Sequence, residues 1–448
     1  MKRSCLTRIV WLWLIILSAP VARAFDDEEF LLRVGREHLQ SVLRAYRLEL
    51  EESLPGQSLY LVERDDDDDD ESTGQFIARV RRDSRVLGFE IDQEVEAPEV
   101  RPGVPLNPSL TQTSQALQNR AIVNFYGSPA WTGFVNQAAR ETIRATAAHQ
   151  SMATGAGVVA VIDTGVDPNH PLLRGALVPG YDFIRNEAGG SEWSDIDSTT
   201  AANLTQEISA FLEGQPKVVN SHTAAILRQE ISAFLEGSPL PAAFGHGTMV
   251  AGVIRLVAPT ARIMPLKAFS GTGASSLFNL VRAVYYASAN GAKVINMSFT
   301  LSQPSDEFAR AVNQAAAAGV ICVASAGNDG RQMITFPAGY SNVLGTASMN
   351  GSDQRSSFSN YGSALVKVAA PGENIVTAFP GGGYAAAWGT SFSSPMVAGA
   401  AALLLHSHPN TTFVQALQSI QHAHPATTEL GAGKLDVVAA ILFRRSLP

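Results

Sequence analysis

The sequence predicts an α/β fold, a parallel sheet flanked by helices, preceded by a small α+β domain. Three observations predict it. From Val158 onward, short apolar runs alternate with stretches of helical periodicity, the rhythm of β-α-β units. Between Phe25 and Glu99 a separate, shorter alternation of strands and helices runs its own course. Pro98, Pro102, Pro105 and Pro108 mark the break between the two. With 448 residues the chain has room for two or three domains, and 46% hydrophobic against 17% charged residues suits a sizeable core.

The first 24 residues read as a secretory signal peptide. Lys2, Arg3 and Arg8 precede the apolar stretch Ile9 to Leu17, and Ala22-Arg23-Ala24 offers small residues at a cleavage site. An uncleaved anchor is the other reading, but the stretch is short for a membrane helix, and no later segment has about 18 uninterrupted apolar residues. The expectation is an exported protein, periplasmic or extracellular, with no membrane association after signal removal. In the domain 25–99, Phe30 to Val34, Ser58 to Val62 and Val86 to Val95 read as strands, with helices at Glu37 to Leu48 and Gln75 to Arg82. A Pro-containing linker is expected over 100–137. The large domain follows over 138–448, opening with a helix at Ala138 to Met152. Its strands are Val158 to Ile162, Arg262 to Ala268, Lys293 to Ser298 and Val320 to Ala324. Helices at Ser275 to Ala289 and Asp306 to Ala318 alternate with them. In such sheets functional groups gather beyond the carboxyl ends of the strands. Asp163 directly follows one strand and Asn328 closely follows another.

Charge and cysteine content narrow the function classes. Net charge is −8 and no basic stripe is present, which argues against nucleic acid. The run Asp65 to Asp70 with Glu71 reads as a solvated, self-repelling loop, or else as a calcium or chaperone contact. Cys5 leaves with the signal peptide, so Cys322 cannot form an intramolecular disulfide in the processed chain. Lying in the apolar run Val320 to Val323, with no histidine nearby in sequence, it reads as a small buried hydrophobe.

One internal repeat interrupts the large domain. Thr200 to Pro216 recurs at Thr223 to Pro239, and in the second copy Leu227, Ile231, Phe234 and Leu235 share a helical face, with Gly237 as a stop. A helical hairpin inserted at about 198–241 is one reading, and a strand-and-turn or partly disordered insert the other. The repeat fills most of the interval between Asp163 and His246, so it is expected at the rim of any site they build. Restriction of substrates, docking of a partner and a harmless surface insertion all stay open.

Three glycine-flanked segments carry chemistry. VAVIDTG ends a buried strand in Asp163, a weak signal alone. FGHGTMVAG exposes His246 at the start of a helix, where a lone histidine is more often structural. GTSFSSP opens a helix of small residues, and Ser391, Ser393 and Ser394 are each eligible as mere caps. Taken together they change meaning. A serine becomes a nucleophile when a histidine removes its proton and a carboxylate fixes that histidine's tautomer. The G-x-S-x-G arrangement of α/β-hydrolases, with serine first in chain order, does not fit G-T-S-F-S preceded by Asp and His.

These segments, in this order, resemble the active-site blocks of the subtilisin-like serine proteases. Ala324 to Gly330, Ser357 to Gly362, Ala370 to Gly372 and Gly431 to Asp436 are similar to further blocks of that family, and the resemblance runs from roughly 155 to 440. It implies a subtilisin-like α/β domain and peptide-bond hydrolysis through an acyl-enzyme. Asp163, His246 and Ser391 would be the triad, with the Asn328 side chain and the Ser391 backbone N–H as oxyanion donors. Ser298, Phe299, Thr300, Ala324, Ser325, Ala326 and Gly327 would line the substrate. The implied partners are polypeptide substrates and the chain's own N-terminal domain in cis, which resembles a ferredoxin-like inhibitory and chaperoning propeptide. A permanently attached domain without inhibitory action is the alternative. No cofactor and no nucleic acid are expected, and a monomer is. A catalytically silent homologue serving as a binding or scaffold protein is the rival reading.

The sequence departs from the family at four places. Leu172 stands where many relatives carry a calcium-ligating aspartate, so no required metal is expected. The repeat is the second departure. Thr300 and Leu301 replace glycines in the substrate-binding strand, and a β-branched Thr300 narrows the expected subsites. Met249 replaces a second histidine that is not a triad member.

Overall fold

The structure is a computed structural model that describes residues 28–54, 56–64, 71–97, 117, 119–201, 240–301 and 303–447. The expected signal peptide, the acidic run before Glu71, the proline-rich part of the linker and the repeat beyond residue 201 lie outside the described residues. The chain divides into two compact units, one ending at Ile91 and one beginning at Asp92.

The first unit has the order β1 (Glu29–Val34), α1 (Leu39–Tyr46), β2 (Leu48–Leu54), β3 (Leu59–Arg64), α2 (Thr73–Val80) and β4 (Val86–Ile91). Its antiparallel sheet runs β2-β3-β1-β4, the split β-α-β-β-α-β arrangement. Phe30, Phe76 and Phe89 centre the core, with ring centroids 4.8–5.7 Å apart. Strand β2 is absent from the sequence expectation, which ran the helix on to Leu48. Arg47 takes the left-handed conformation (φ 50°) and stops the helix. Glu49, Glu51 and Glu52 then follow on an edge strand, where charge is tolerated and the periodic signal is weak.

The second unit opens with β5 (Glu94–Glu96), expected as the end of the preceding strand; it pairs antiparallel with Ala274–Ser276. The stretch expected as linker up to residue 137 is corrected by a hairpin, β6 (Ile122–Phe125) and β7 (Ser128–Trp131), and the short helix α3 (Thr132–Val135). Phe125, Ala130 and Phe134 belong to the main core. Tyr126 and Gly127 both have positive φ, the tight hairpin turn that suits strand twist. The expected helix over 138–152 is two pieces, α4 (Ala138–Thr142) and α5 (Ala145–Ser151). They break at left-handed Arg144, whose guanidinium pairs with Asp436 at 2.9 Å.

From β8 (Val158–Asp163) the expected alternation holds. It continues through β9 (Tyr181–Asp182), β10 (Glu187–Ala188), α6 (His246–Val257), β11 (Arg262–Lys267), β12 (Ala274–Ser276) and α7 (Leu277–Ala289). Then come β13 (Ala292–Met297), α8 (Asp306–Ala317), β14 (Ile321–Ser325), β15 (Val343–Met349), β16 (Val368–Pro371), β17 (Ile375–Phe379) and β18 (Gly383–Ala387). Helices α9 (Thr390–Ser407), α10 (Phe413–Ile420) and α11 (Val437–Ser446) close the unit. The large sheet runs β10-β9-β11-β8-β13-β14-β15-β16 and is parallel except for its β10 edge. Helix α9 is buried from Thr390 to Leu405 and packs on α6 and on β13 to β16. A helix covered all round has no polar face to show, so its sequence is small and apolar throughout. Strand β8 lies between β11 and β13, so the chain reverses direction across the sheet at the carboxyl end of β8. That end carries Asp163.

Candidate active site

Asp163 is the last residue of β8 and His246 the first of α6, and their side chains meet. His246 Nδ1 lies 2.7 Å from Asp163 Oδ1, with both side chains buried. The same carboxylate oxygen accepts the Thr164 N–H at 2.7 Å. Glycine at 247 makes the approach possible, because a Cβ there would stand 2.0 Å from the Gly165 carbonyl oxygen. The GHGT sequence is thus a packing requirement: the first turn of α6 sits directly on the turn after β8.

Ser391 lies in the first turn of α9, one residue past its start, and Gly389 (φ 143°) holds the N-cap position. Ser391 is therefore not the cap, and neither is Ser393 or Ser394. The next side chain, Phe392, has its ring centroid 5.7 Å from that of His246, so the first turn of α9 adjoins the imidazole. Pro395 supplies no N–H to the carbonyl four residues earlier, that of Ser391. Ser298, just past β13, fills that role by donating its hydroxyl to Ser391 O at 3.0 Å. In return Ser391 Oγ lies 3.3 Å from Ser298 O. Asn296 Nδ2 steadies the Ser298 hydroxyl at 2.9 Å.

Asn328 follows β14. Its Oδ1 accepts both the N–H and the hydroxyl of Thr390 at 2.9 Å, which fixes the amide with Nδ2 as the donating end. Asn360 clamps the loop around it. Its Nδ2 donates to Ala326 O at 3.1 Å, and its Oδ1 accepts the N–H groups of Asp329 and Arg331 at 3.1 Å.

The expected substrate-lining residues separate into two sets. Ser298 to Thr300 and Ser325 to Gly327 run side by side past Ser391, and a Cβ on Gly327 would stand 3.2 Å from Thr300 Cγ2. Phe299 turns inward onto Phe269 and Phe308, and the side chains of Ala324, Ser325 and Ala326 are fully buried. These side chains are covered to the same degree as Ser391 itself. Cys322 is also fully buried, and burial pushes its thiol up to about 12, far from a nucleophile's range. Leu172 is core, and among the described residues no cluster of three or more His, Cys, Asp or Glu is placed to hold a metal.

The sequence profile of the Subtilase family matches residues 155–436, more than half of the chain. The chain belongs to the subtilase family. As such it is a subtilisin-like serine endopeptidase. It is 32% identical over 303 residues to subtilisin Savinase from Lederbergia lenta, covering 65% of this chain and 91% of the relative. A thermostable alkaline protease from Halalkalibacterium halodurans is 28% identical over 431 residues, 94% of this chain and 92% of the relative. In fold, the chain is similar to the crystal structure of fervidolysin from Fervidobacterium pennivorans. The TM-score is 0.67 at 21% identity, over 93% of this chain and 61% of that one.

Sequence reasoning on this subtilase passed over several residues that shape the site. Thr390 orients Asn328, Asn360 holds the loop, and Thr164 and Glu192 stand behind Asp163. Thr164 and Thr390 each sit beside a residue already singled out, and Asn360 lies within a quoted segment, so spacing held a signal for those three. Glu192, far from any motif, gave none.

Proposed function

We propose that Asp163, His246 and Ser391 form a catalytic triad that hydrolyses peptide bonds through an acyl-enzyme. The observation that carries the reading is the buried 2.7 Å pair of His246 and Asp163 next to the first turn of α9. His246 takes the Ser391 hydroxyl proton as Oγ attacks the substrate carbonyl carbon, and Asp163 stabilises the resulting imidazolium. The carbonyl electrons move onto oxygen, where the Asn328 Nδ2 and the Ser391 backbone N–H donate to the oxyanion. Collapse breaks the C–N bond, His246 delivers its proton to the leaving amine, and water repeats the sequence on the acyl-enzyme. A burst of p-nitrophenol from an activated ester, equal to the enzyme present, is the expected signature, and steady release without a burst while deacylation is slow argues against it.

The enzyme is exported and made as a zymogen, with the first unit as an inhibitory and chaperoning propeptide. Two features support this: the N-terminal charge and apolar pattern, and the extended segment Glu94–Glu96 added onto β12 in register with Ala274–Ser276. Asp92 Oδ1 also accepts the Phe278 N–H at 2.8 Å, at the start of α7. N-terminal sequencing of secreted protein is expected to find a new terminus downstream of the first unit, and a terminus at Phe25 in fully active enzyme contradicts the zymogen. The insertion's flanks, Ile196 and Leu240, pack with Trp193, Phe244 and Phe379 immediately before Gly245 and His246. This supports an insertion that restricts access for bulky substrates.

A further inference from the structure

Glu192 is a buried carboxyl that the reaction does not use. It belongs to the short turn Glu192–Asp195 and is 1% exposed. Its segment is pressed against the turn after β8: Val166 N–H donates to Gly190 O at 2.8 Å, and a Cβ on Gly165 (φ 105°) would stand 2.9 Å from the Glu192 nitrogen. Oε1 accepts the Thr248 N–H of α6 at 2.7 Å and lies 3.3 Å from Thr164 Oγ1. The Thr164 hydroxyl also lies 3.3 Å from Asp163 Oδ1 and accepts the Gly247 N–H at 3.0 Å. One hydroxyl, with one proton to give, therefore joins two carboxyls and the helix turn that carries His246.

We infer that Glu192 is a positioning residue of the triad, setting the orientation of the Asp163–His246 pair through Thr164 and the first turn of α6. The inference rests on the triad reading above. Glu192 Oε2 is buried without a hydrogen-bond partner, a costly state for an ionised oxygen. The groups facing Glu192 are Asp163 from β8, Asp167 from the loop beyond it, Lys267 from β11 and Thr248 from α6, with His246 one step further, on Asp163. Lys267 is committed elsewhere, to Asp195 Oδ2 at 2.5 Å and to the carbonyls of Thr164 and Phe269 at 2.8 Å. Burial first, then the Asp163 and Asp167 charges, push the Glu192 carboxyl up to about 8 against the pull of Thr248 and Lys267. Below that pH the Thr164 proton goes to Asp163. Above it, Glu192 competes for the proton and adds a second negative charge behind the pair.

The test compares processed wild-type enzyme with Glu192→Gln and Glu192→Ala, measuring kcat and KM for a chromogenic peptide over about pH 5–10. A fluorophosphonate counts the active sites in each sample. The Ala variant is expected to lose about tenfold or more in kcat with KM within about twofold, and the Gln variant to recover most of that loss. Wild type is expected to show an inflection in kcat near pH 8 that the Gln variant lacks. A folded Ala variant with wild-type kcat, or a Gln variant as impaired as Ala, overturns the inference. Should the Ala variant not fold, an alkaline inflection that persists unchanged in the Gln variant overturns it alone. Wild-type enzyme that neither labels nor cleaves peptide strikes at the triad reading itself.

Discussion

The two sides of the active site are held by different physics. On one side Ser391 and Asn328 are fixed by neutral groups: the hydroxyls of Ser298 and Thr390, a proline that frees a carbonyl, and the Asn360 amide. On the other side Asp163 and His246 sit among ionisable groups, with Glu192, Asp167 and Lys267 buried and Asp195 paired to Lys267. Neutral hydrogen bonds give geometry that does not change with pH. Buried charges give geometry that does, and their removal leaves a partner stranded. On the proposed roles, pH sensitivity falls on the side of His246, and the Ser391 and Asn328 side, held by hydroxyls and amides, is expected to be indifferent to it.

The largest expected break of this contrast is Asp163→Asn, which leaves shape intact but presents the wrong partner to the imidazole. A fall in kcat on the order of 10⁴ is expected from stopped or steady-state kinetics, with little change in thermal stability. On the neutral side, Asn328→Ala is expected to lower kcat by about 10²–10³ with KM nearly constant, the known cost of losing such a donor in a subtilisin. Lys267→Met removes the fully buried donor of Asp195 and of the Thr164 and Phe269 carbonyls, leaving Asp195 only the partly exposed Arg185, so urea unfolding is expected to show about 3 kcal/mol lost.

Smaller effects sharpen the contrast. Ser298→Ala leaves the Ser391 carbonyl without its hydroxyl donor, and about 1–3 kcal/mol of stability is expected to go. The pH dependence of kcat/KM is expected to keep its acid limb through about 6–7, where an ordinary imidazole becomes the neutral base, in that variant as in the parent. The folded-state carboxyl of Glu192 is raised, so the fold retains a proton that the unfolded chain releases. Stability is therefore expected to fall as pH rises from the ordinary carboxylate range through about 8, and Glu192→Gln to flatten that slope. Thr300→Gly opens space against Gly327, and about tenfold better cleavage is expected for peptides with bulky residues just before the scissile bond.

Much of this was legible in the amino acids because parallel sheets write themselves plainly. Strands such as Val158–Asp163 and Ile321–Ser325 are buried on both faces, so they stand out as apolar runs ending at functional residues. The edge strand Leu48–Leu54 buries little, and the hairpin at Tyr126-Gly127 has strands of only four residues that place just Phe125 and Ala130 in the buried core, so neither leaves a clear periodic pattern. The supports of the proposed triad are harder to read. Glu192 meets Thr248 only because a glycine-rich segment folds back on β8, and no local periodicity records such a contact.

The central claim is that an imidazole held by Asp163 activates Ser391. The most direct measurement is fluorophosphonate labelling of the processed enzyme followed by peptide mass mapping. The account predicts stoichiometric modification at Ser391, abolished in His246→Ala. A folded, processed protein that stays unlabelled, or carries its label on Ser393 or Ser394 instead, would contradict it.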